Sequence, residues 1–224
     1  MEGLYFLFPL RAEFFMDAVI FDLDGVVVDT ERYWNRAEED IYREITGEDV
    51  DVDELAGMSI TNTYEKLSER YNLSVSRDEF FNMYKNHAEN VYCEKAELMD
   101  GVKDLIGEIR DRGLKIGLAT GSYWPNYVID RFDLEFDAVV HSGNIEGKGK
   151  PEPETYLKAV EELDIRPEAA VAVDDTGAGI ESASGAGLYC IGYTGSGGEG
   201  PEGADETVEG AEELRARLLE LAEQ

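Results

Sequence analysis

The feature that most constrains this chain is an alternation of short apolar runs with helical stretches, broken once by a long segment without a strand candidate. "AVIFD" (18–22) reads as a short buried strand. Residues 31–46 read as a helix, and "TNTYEKLSERYN" (61–72) and "SRDEFFNMYKNHAENVYCEKAEL" (76–98) follow with helical periodicity. No strand candidate falls between Asp29 and Asp100, so an all-helical insert is expected there. Alternation then resumes. A helix at 101–113, closed by Gly113, precedes the strand "KIGLAT" (115–120), the helix "WPNYVIDRF" (124–132) and the strand "FDAVV" (136–140). The helix "PETYLKAVEEL" (153–163), the strand "AAVAVDD" (169–175), the helix "AGIESASGAG" (178–187) and the strand "LYCIGY" (188–193) come next. "ADETVEG" (204–210) reads as an edge strand, and 211–222 as a closing helix. Strands separated by helices of this length imply an α/β fold with a doubly wound parallel sheet, covered on both faces through right-handed crossovers.

In such a sheet, ligands bind beyond the carboxyl ends of the strands, near the point where strand order reverses. Several strand ends here are polar. "VIFDLDGVVVDTE" (19–31) sets Asp22 and Asp24 at the end of a buried strand, where unpaired charge is costly. Carboxylates so placed bind a metal, do chemistry, or both. The next strand ends in Thr120-Gly121-Ser122, and a later one in Asp174-Asp175. Between them, "GKGKPEPE" (147–154) sets Lys150 before a proline-led helix. Singly, Thr120 would cap a helix, Lys150 would be a solvated loop residue, and Asp174-Asp175 would be turn chemistry. Together they bring carboxylates, a hydroxyl with adjacent backbone N–H groups, and a cation to one edge.

Phosphoryl transfer uses this set. Hard oxygen ligands suit Mg²⁺, which takes one or two carboxylates together with phosphate and water. A metal and a lysine neutralise the phosphoryl oxygens, while hydroxyl and amide donors hold them. One carboxylate can attack as a nucleophile, and a second can protonate the leaving oxygen and later activate water.

The remaining features narrow the setting. The chain's 224 residues can hold one substantial core or a core plus a small insert. Its 50 acidic against 20 basic residues give a formal net charge of −30. That charge is spread through "RAEED", "EELDIRPEAA" and "AEELRARLLELAEQ" rather than gathered into one tail. Such self-repulsion is screened in concentrated salt, where the Debye length falls to ~3 Å at 1 M. The expected setting is therefore halophilic, the cytoplasm of a salt-accumulating organism, and neither nucleic acid nor an anionic membrane suits the surface as a partner. Cys93 and Cys190 have no companions at metal-ligand spacing, so buried free thiols are expected. "MEGLYFLFPLRAEFF" (1–15) is interrupted by Arg11 and Glu13 and is too short to span a bilayer. Met16 directly precedes the first strand, so 1–15 reads as an N-terminal extension, either an upstream-start artefact or a docked extra segment. "GSGGEG" (195–200) satisfies Gly-x-Gly-x-x-Gly but is followed by Pro201 and an edge strand, not a helix. It reads as a flexible surface loop.

Residues 16–224 resemble the haloacid dehalogenase superfamily, in its branch with a small helical cap inserted after the first motif (phosphoglycolate phosphatase and β-phosphoglucomutase-like). "DLDGVVVDT" is similar to the first family motif, "LATGS" to the second, "GKPEP" to the third and "VAVDD" to the fourth, in the family's order. The resemblance implies a Rossmann-like core formed by 16–30 and 99–224, and a helical cap at 31–98. It implies Asp22 as the nucleophile, passing through an aspartyl-phosphate, and Asp24 as the general acid/base, with its backbone carbonyl serving the metal. Thr120, Gly121 and Ser122 would bind phosphate, and Lys150 would orient and neutralise the nucleophile and the phosphoryl group. Asp175 would be the direct Mg²⁺ ligand, with Asp174 assisting directly or through water.

Dehalogenases of the superfamily lack the second aspartate and the metal, and phosphonate-cleaving relatives use a cap lysine that has no counterpart just after the first motif here. Sugar-phosphate mutases resembling β-phosphoglucomutase carry a cap histidine and basic residues beside the cap glycine. Here Trp34, Ala56 and Ile60 stand at the matching places. The expected activity is therefore Mg²⁺-dependent hydrolysis of a small phosphomonoester, of the sugar phosphate or phosphoglycolate type, by a monomer, with the mutase as alternative. The loop "AGMSITN" (56–62) is expected to enter the cleft, where Tyr33, Trp34, Gly57 and Ser59 would shape the leaving-group pocket. A receiver-like phospho-switch or binding module is the alternative of another class. Receivers carry their acidic pair early and have neither an acid/base two residues after the nucleophile nor a cap.

Overall fold

Four successive residues, Ala18–Phe21 (β1), are fully buried, which is the mark of a strand covered on both faces. In a computed structural model, residues 15–195 and 200–223 are described. The segment 1–14 and the centre of the glycine-rich loop, 196–199, lie outside the described residues, and with them the expectations for the extension and for that loop.

β1 is central. Lys115–Thr120 (β4) and Ala170–Asp174 (β6) pair with it in parallel on either side, Ala18 meeting Lys115 and Ala170. Ala138–His141 (β5) extends the sheet beyond β4, while Tyr189–Tyr193 (β7) and Glu206–Val208 (β8) extend it beyond β6. The order is β5-β4-β1-β6-β7-β8, all parallel, so the chain reverses direction of growth across β1.

The two faces of the sheet differ in side-chain size. Val19, Phe21, Leu118, Val171 and Val173 pack against Val102–Asp111 (α4), Pro125–Phe132 (α5) and Gly210–Leu221 (α8) through Ile106, Ile109, Val128 and Leu218. Ala18, Ile20, Ala119, Ala170 and Ala172 face Glu154–Glu162 (α6) and Gly177–Gly185 (α7) through Tyr156, Ala159, Ile180 and Ala183. The alanines leave room for the large Tyr156 ring to reach the sheet. Each fully buried Val, Ile or Phe contributes about 1.5–3 kcal/mol.

Between β1 and β4 lie Glu31–Thr46 (α1), Ile60–Arg70 (α2) and Arg77–Glu89 (α3), packed around Ile41, Tyr42, Leu67, Phe80 and Tyr84. α3 starts with a reciprocal capping box of Ser76 and Glu79. Two expectations are corrected here. The helix expected to continue to residue 98 ends at Glu89, passes through a π-helical turn at Asn90–Lys95, and gives way to Glu97–Leu98 (β3). β3 pairs antiparallel with Val28–Asp29 (β2), so a strand does occur between Asp29 and Asp100. Two-residue strands carry too few side chains to show a period, which is why the pattern hid them. The ribbon joins the two connections that enter and leave the helical segment. Among the described residues no helix is long and apolar enough to cross a membrane.

Candidate active site

The carboxyl ends of β1, β4 and β6 meet where the chain crosses β1, and the polar residues sit there. Asp22 continues the ladder past β1, its N–H donating to the Val173 carbonyl at 2.9 Å. The chain then turns sharply, with the Val27 and Val28 N–H groups both donating to the Leu23 carbonyl. Gly25 lies inside this turn at φ +79°, and a Cβ there would fall 1.9 Å from Asp175 Oδ2. The turn thus needs glycine twice, for its backbone and for the neighbouring carboxylate.

Lys150 is 1% exposed and sits between two carboxylates, donating to Asp22 Oδ1 and to Asp174 Oδ2, each at 2.6 Å. Asp174 also accepts from the Tyr156 hydroxyl at 2.7 Å, and from the Thr176 N–H and hydroxyl at 3.0 and 2.8 Å. Both of its oxygens are therefore engaged. Burial opposes charge on Lys150, but Asp174 and Asp22 more than offset it and hold the ammonium above its ordinary value. Burial pushes Asp22 up to about 7, against the pull of Lys150.

Asp22, Asp174 and Asp175 offer oxygens that all lie within 4.8 Å of one another. Asp175 Oδ1 is buried without a hydrogen-bond partner, and burial beside Asp174 and Asp22 raises its carboxyl well above the ordinary range. A buried, unpartnered carboxylate oxygen facing two others is the environment a hard divalent cation relieves, so this donor set fits Mg²⁺. Asp175 is the member with a free oxygen, whereas Asp174 is committed to Lys150, Tyr156 and Thr176. The Asp24 side chain stands apart from this trio. It accepts from the Thr30 hydroxyl at 2.5 Å and the Tyr92 hydroxyl at 2.8 Å, and burial raises its carboxyl. Thr30 precedes α1 yet makes no side-chain cap bond, its hydroxyl being spent on Asp24.

Thr120, Gly121 and Ser122 line the same cavity, with the Ser122 N–H donating to Thr120 Oγ1 at 3.0 Å and Ser142 donating to the Gly121 carbonyl at 2.7 Å. The cavity is roofed from the helical segment by Ala56, Gly57, Met58 and Ile60. Gly57, at φ +74°, passes so near Thr176 that a Cβ would lie 2.2 Å from its hydroxyl oxygen. Asn62 holds the roof to the core: its side-chain amide donates to the Gly149 and Lys150 carbonyls at 2.6 and 2.9 Å. Phe81 stacks edge-on against Tyr123, ring centres 4.8 Å apart.

Of the four cap residues singled out in the sequence, Trp34 and Gly57 line the cavity; Tyr33 and Ser59 are not among its lining residues. Tyr33 packs beneath Arg32 and Lys95, and Ser59 caps α2 by accepting from the Asn62 N–H. Trp34 Nε1 is buried beside Asp24 and Tyr92 but makes no hydrogen bond of ordinary geometry. Sequence reasoning missed Glu31, Asn35, Glu38, Tyr84, Tyr92 and Trp124 in the lining, and Tyr156 and Thr176 as partners of Asp174. Glu31 lies one helical turn before Trp34, and Asn35 and Glu38 continue the same face of α1, so a face count from Trp34 could have found them.

Comparison with known proteins agrees with this geometry. The family model of haloacid dehalogenase-like hydrolases matches residues 16–187. A phosphorylated carbohydrates phosphatase from Thermotoga maritima is 31% identical over 192 residues, covering 79% of this chain and 84% of its own. The β-phosphoglucomutase of Bacillus subtilis is 31% identical over 218 residues, covering 91% and 94%. Among solved structures, CbbY from Rhodobacter sphaeroides in complex with phosphate superposes with a TM-score of 0.70 at 25% identity, covering 86% of this chain and 93% of its own. A β-phosphoglucomutase from Clostridium difficile, 23% identical, shares the fold with a TM-score of 0.76 over 93% and 97%. With the strand-end aspartates, the buried lysine and the helical cap in place, the chain belongs to the haloacid dehalogenase-like hydrolases.

Proposed function

We propose that this protein is a Mg²⁺-dependent phosphatase of small phosphomonoesters, of the sugar phosphate or phosphoglycolate type, acting through an aspartyl-phosphate on Asp22. The observation that carries this reading is the Lys150 bridge between Asp22 and Asp174, set beside an unpartnered oxygen of Asp175. Asp22, Asp175 and the Asp24 backbone carbonyl would hold the metal, with Asp174 held back by its four hydrogen bonds. When bound, Mg²⁺ supplies positive charge that favours ionised Asp22 and offsets the phosphoryl oxygens.

This chain's own residues supply the rest. Thr120, whose hydroxyl accepts from the Ser122 N–H and so keeps its own proton to donate, would bind the phosphoryl oxygens together with the backbone at Gly121. A carboxylate oxygen of Asp22 attacks phosphorus, the bond to the leaving oxygen breaks, and Asp24 gives that oxygen its proton. Burial favours the protonated form of Asp24, which a general acid needs. Asp24 then takes a proton from water, whose oxygen attacks the aspartyl-phosphate and returns Asp22 and inorganic phosphate. The helical segment 31–98 acts as the cap that keeps bulk water out during the first step. The surface charge suits a cytoplasm rich in salt.

A sugar-phosphate mutase is the second reading, favoured by the likeness to the B. subtilis mutase over 91% of this chain. Phosphate release from a panel of phosphomonoesters in molar KCl, with Mg²⁺ or with chelator, separates them. Mg²⁺-dependent release supports the phosphatase. No release from a folded protein that interconverts sugar phosphates would replace it with the mutase.

A further inference from the structure

Carboxylates surround the reacting centre for a chemical reason, but the roof of the cavity carries acidic groups that the phosphoryl step does not use. Glu38 and Asn35 project from α1, and among the described residues lining this cavity none is Lys, Arg or His. Lys150 is spent between Asp22 and Asp174. Glu38 is held in place by the cap's own polar chain: the Tyr84 hydroxyl donates to Glu38 Oε1 at 2.8 Å, and Tyr42 and Tyr84 share a buried hydrogen bond of 2.8 Å. This anchoring uses hydroxyls only, and among the described residues lining the cavity no cation neutralises the carboxylate. Trp34, Trp124, Met58 and Ile60 add apolar wall around it.

We infer that Glu38 selects an uncharged, hydroxylated leaving group, a sugar or polyol monophosphate, and rejects esters whose leaving group carries a second phosphate or a carboxylate. The inference rests on the phosphatase reading of the same site and narrows it, taking phosphoglycolate and bisphosphates off the substrate list. Hydroxyl groups donate to an ionised carboxylate in short, strong hydrogen bonds, and a site built for them discriminates against analogues without them. The C–H faces of a sugar or polyol lie against indole and aliphatic walls at little desolvation cost. An anionic leaving group would meet Glu38 with no cation among the described lining residues to pair with, and unpaired charge in a partly desolvated cavity is strongly disfavoured. A mutase must hold a bisphosphate intermediate, so the same lack of cations weighs against that reading. Burial pushes the Glu38 carboxyl up to about 7, so the ionised form on which the selection rests prevails above that pH, and the test belongs on the alkaline side of it.

The test is phosphate release from hexose and hexitol monophosphates, a hexose bisphosphate, phosphoglycolate and phenyl phosphate, in molar KCl with Mg²⁺. The expected result is a kcat/KM at least about 100-fold higher for the hydroxylated monophosphates than for phosphoglycolate or the bisphosphate. Glu38→Leu should lower the preference for hydroxylated over phenyl ester about 10-fold, mostly through KM. Glu38→Gln, which keeps an acceptor and loses the charge, should restore that preference while relaxing the rejection of the bisphosphate. Equal or better turnover of phosphoglycolate or the bisphosphate by the wild type overturns the inference and leaves the phosphatase standing. Absence of release from every ester, phenyl phosphate included, counts against the phosphatase instead. In that case calorimetric titration of the Asp22→Asn protein with the same panel decides: preferential binding of the hydroxylated monophosphates supports the selection, and preferential binding of the anionic esters overturns it.

Discussion

The floor and the roof of the cavity both carry carboxylates, and they keep them in opposite ways. On the floor, Asp22 and Asp174 are tied to one lysine at 2.6 Å each, and Asp174 is held further by Tyr156 and Thr176. On the roof, Glu38 is anchored by a tyrosine hydroxyl and, among the described residues lining the cavity, has no cation beside it. Floor residues follow the ends of strands buried on both faces, so the backbone places them; roof residues stand on helices of a separate hydrophobic cluster. The contrast is one of partners: the floor seats two of its carboxylates on a buried cation and leaves Asp175 Oδ1 unpartnered, while the roof seats its carboxylate on a neutral hydroxyl.

The sharpest way to break the floor is Asp22→Asn. It should lower kcat by at least about 10⁴-fold with circular dichroism unchanged, because Lys150 keeps Asp174 as a partner. Full activity in this variant would remove Asp22 as the nucleophile. Gly25→Ala acts on the floor without replacing a polar side chain: its methyl would displace the Asp175 carboxylate. We expect Mg²⁺ affinity, read by calorimetry and by Mg²⁺ titration of activity, to fall about 10–100-fold.

Asn62→Ala separates roof from floor by removing two hydrogen bonds to the Gly149 and Lys150 carbonyls. Denaturant unfolding should show a loss of about 1–3 kcal/mol, and KM should rise several-fold as the cap closes less well. The last test concerns the roof alone. Glu38 holds its proton to higher pH in the folded state, about 7 against an ordinary 4.5, so between these values the folded protein binds more protons than the unfolded chain. Its contribution to stability is therefore full below pH 4.5 and is lost as pH rises through about 7. Unfolding curves in molar KCl should show this slope in the wild type and not in Glu38→Gln; parallel curves would count against the shift.

Much of the floor was legible in the sequence because its residues are tied to strand ends. Once "AVIFD", "KIGLAT" and "AAVAVDD" are placed in one parallel sheet, Asp22, Thr120 and Asp174 must share an edge, and the structure brings them together. Lys150 sits in a loop, yet its spacing from the helix that follows made it readable. Tyr156 was not readable as a partner of Asp174, since its position looks like any apolar place on α6. The roof was legible only in outline. Helical periodicity located α1, but which of its residues face the cleft depends on how the cap rests on the core. Tyr33 therefore turned away while Glu38, four residues past Trp34, turned in.

By itself the sequence determined the alternation of strands and helices, the helical insertion, and the set of acids, lysine and hydroxyl that meet at the sheet's edge. These follow from local hydrophobic period and from a topology that leaves few choices. Only the tertiary structure decided that Asp174 serves Lys150 while Asp175 keeps a free oxygen, that Tyr92 and Thr30 share Asp24, and that the roof seats Glu38 on a tyrosine hydroxyl. Each depends on side chains far apart in sequence approaching within a hydrogen bond's length, and that distance is set by packing.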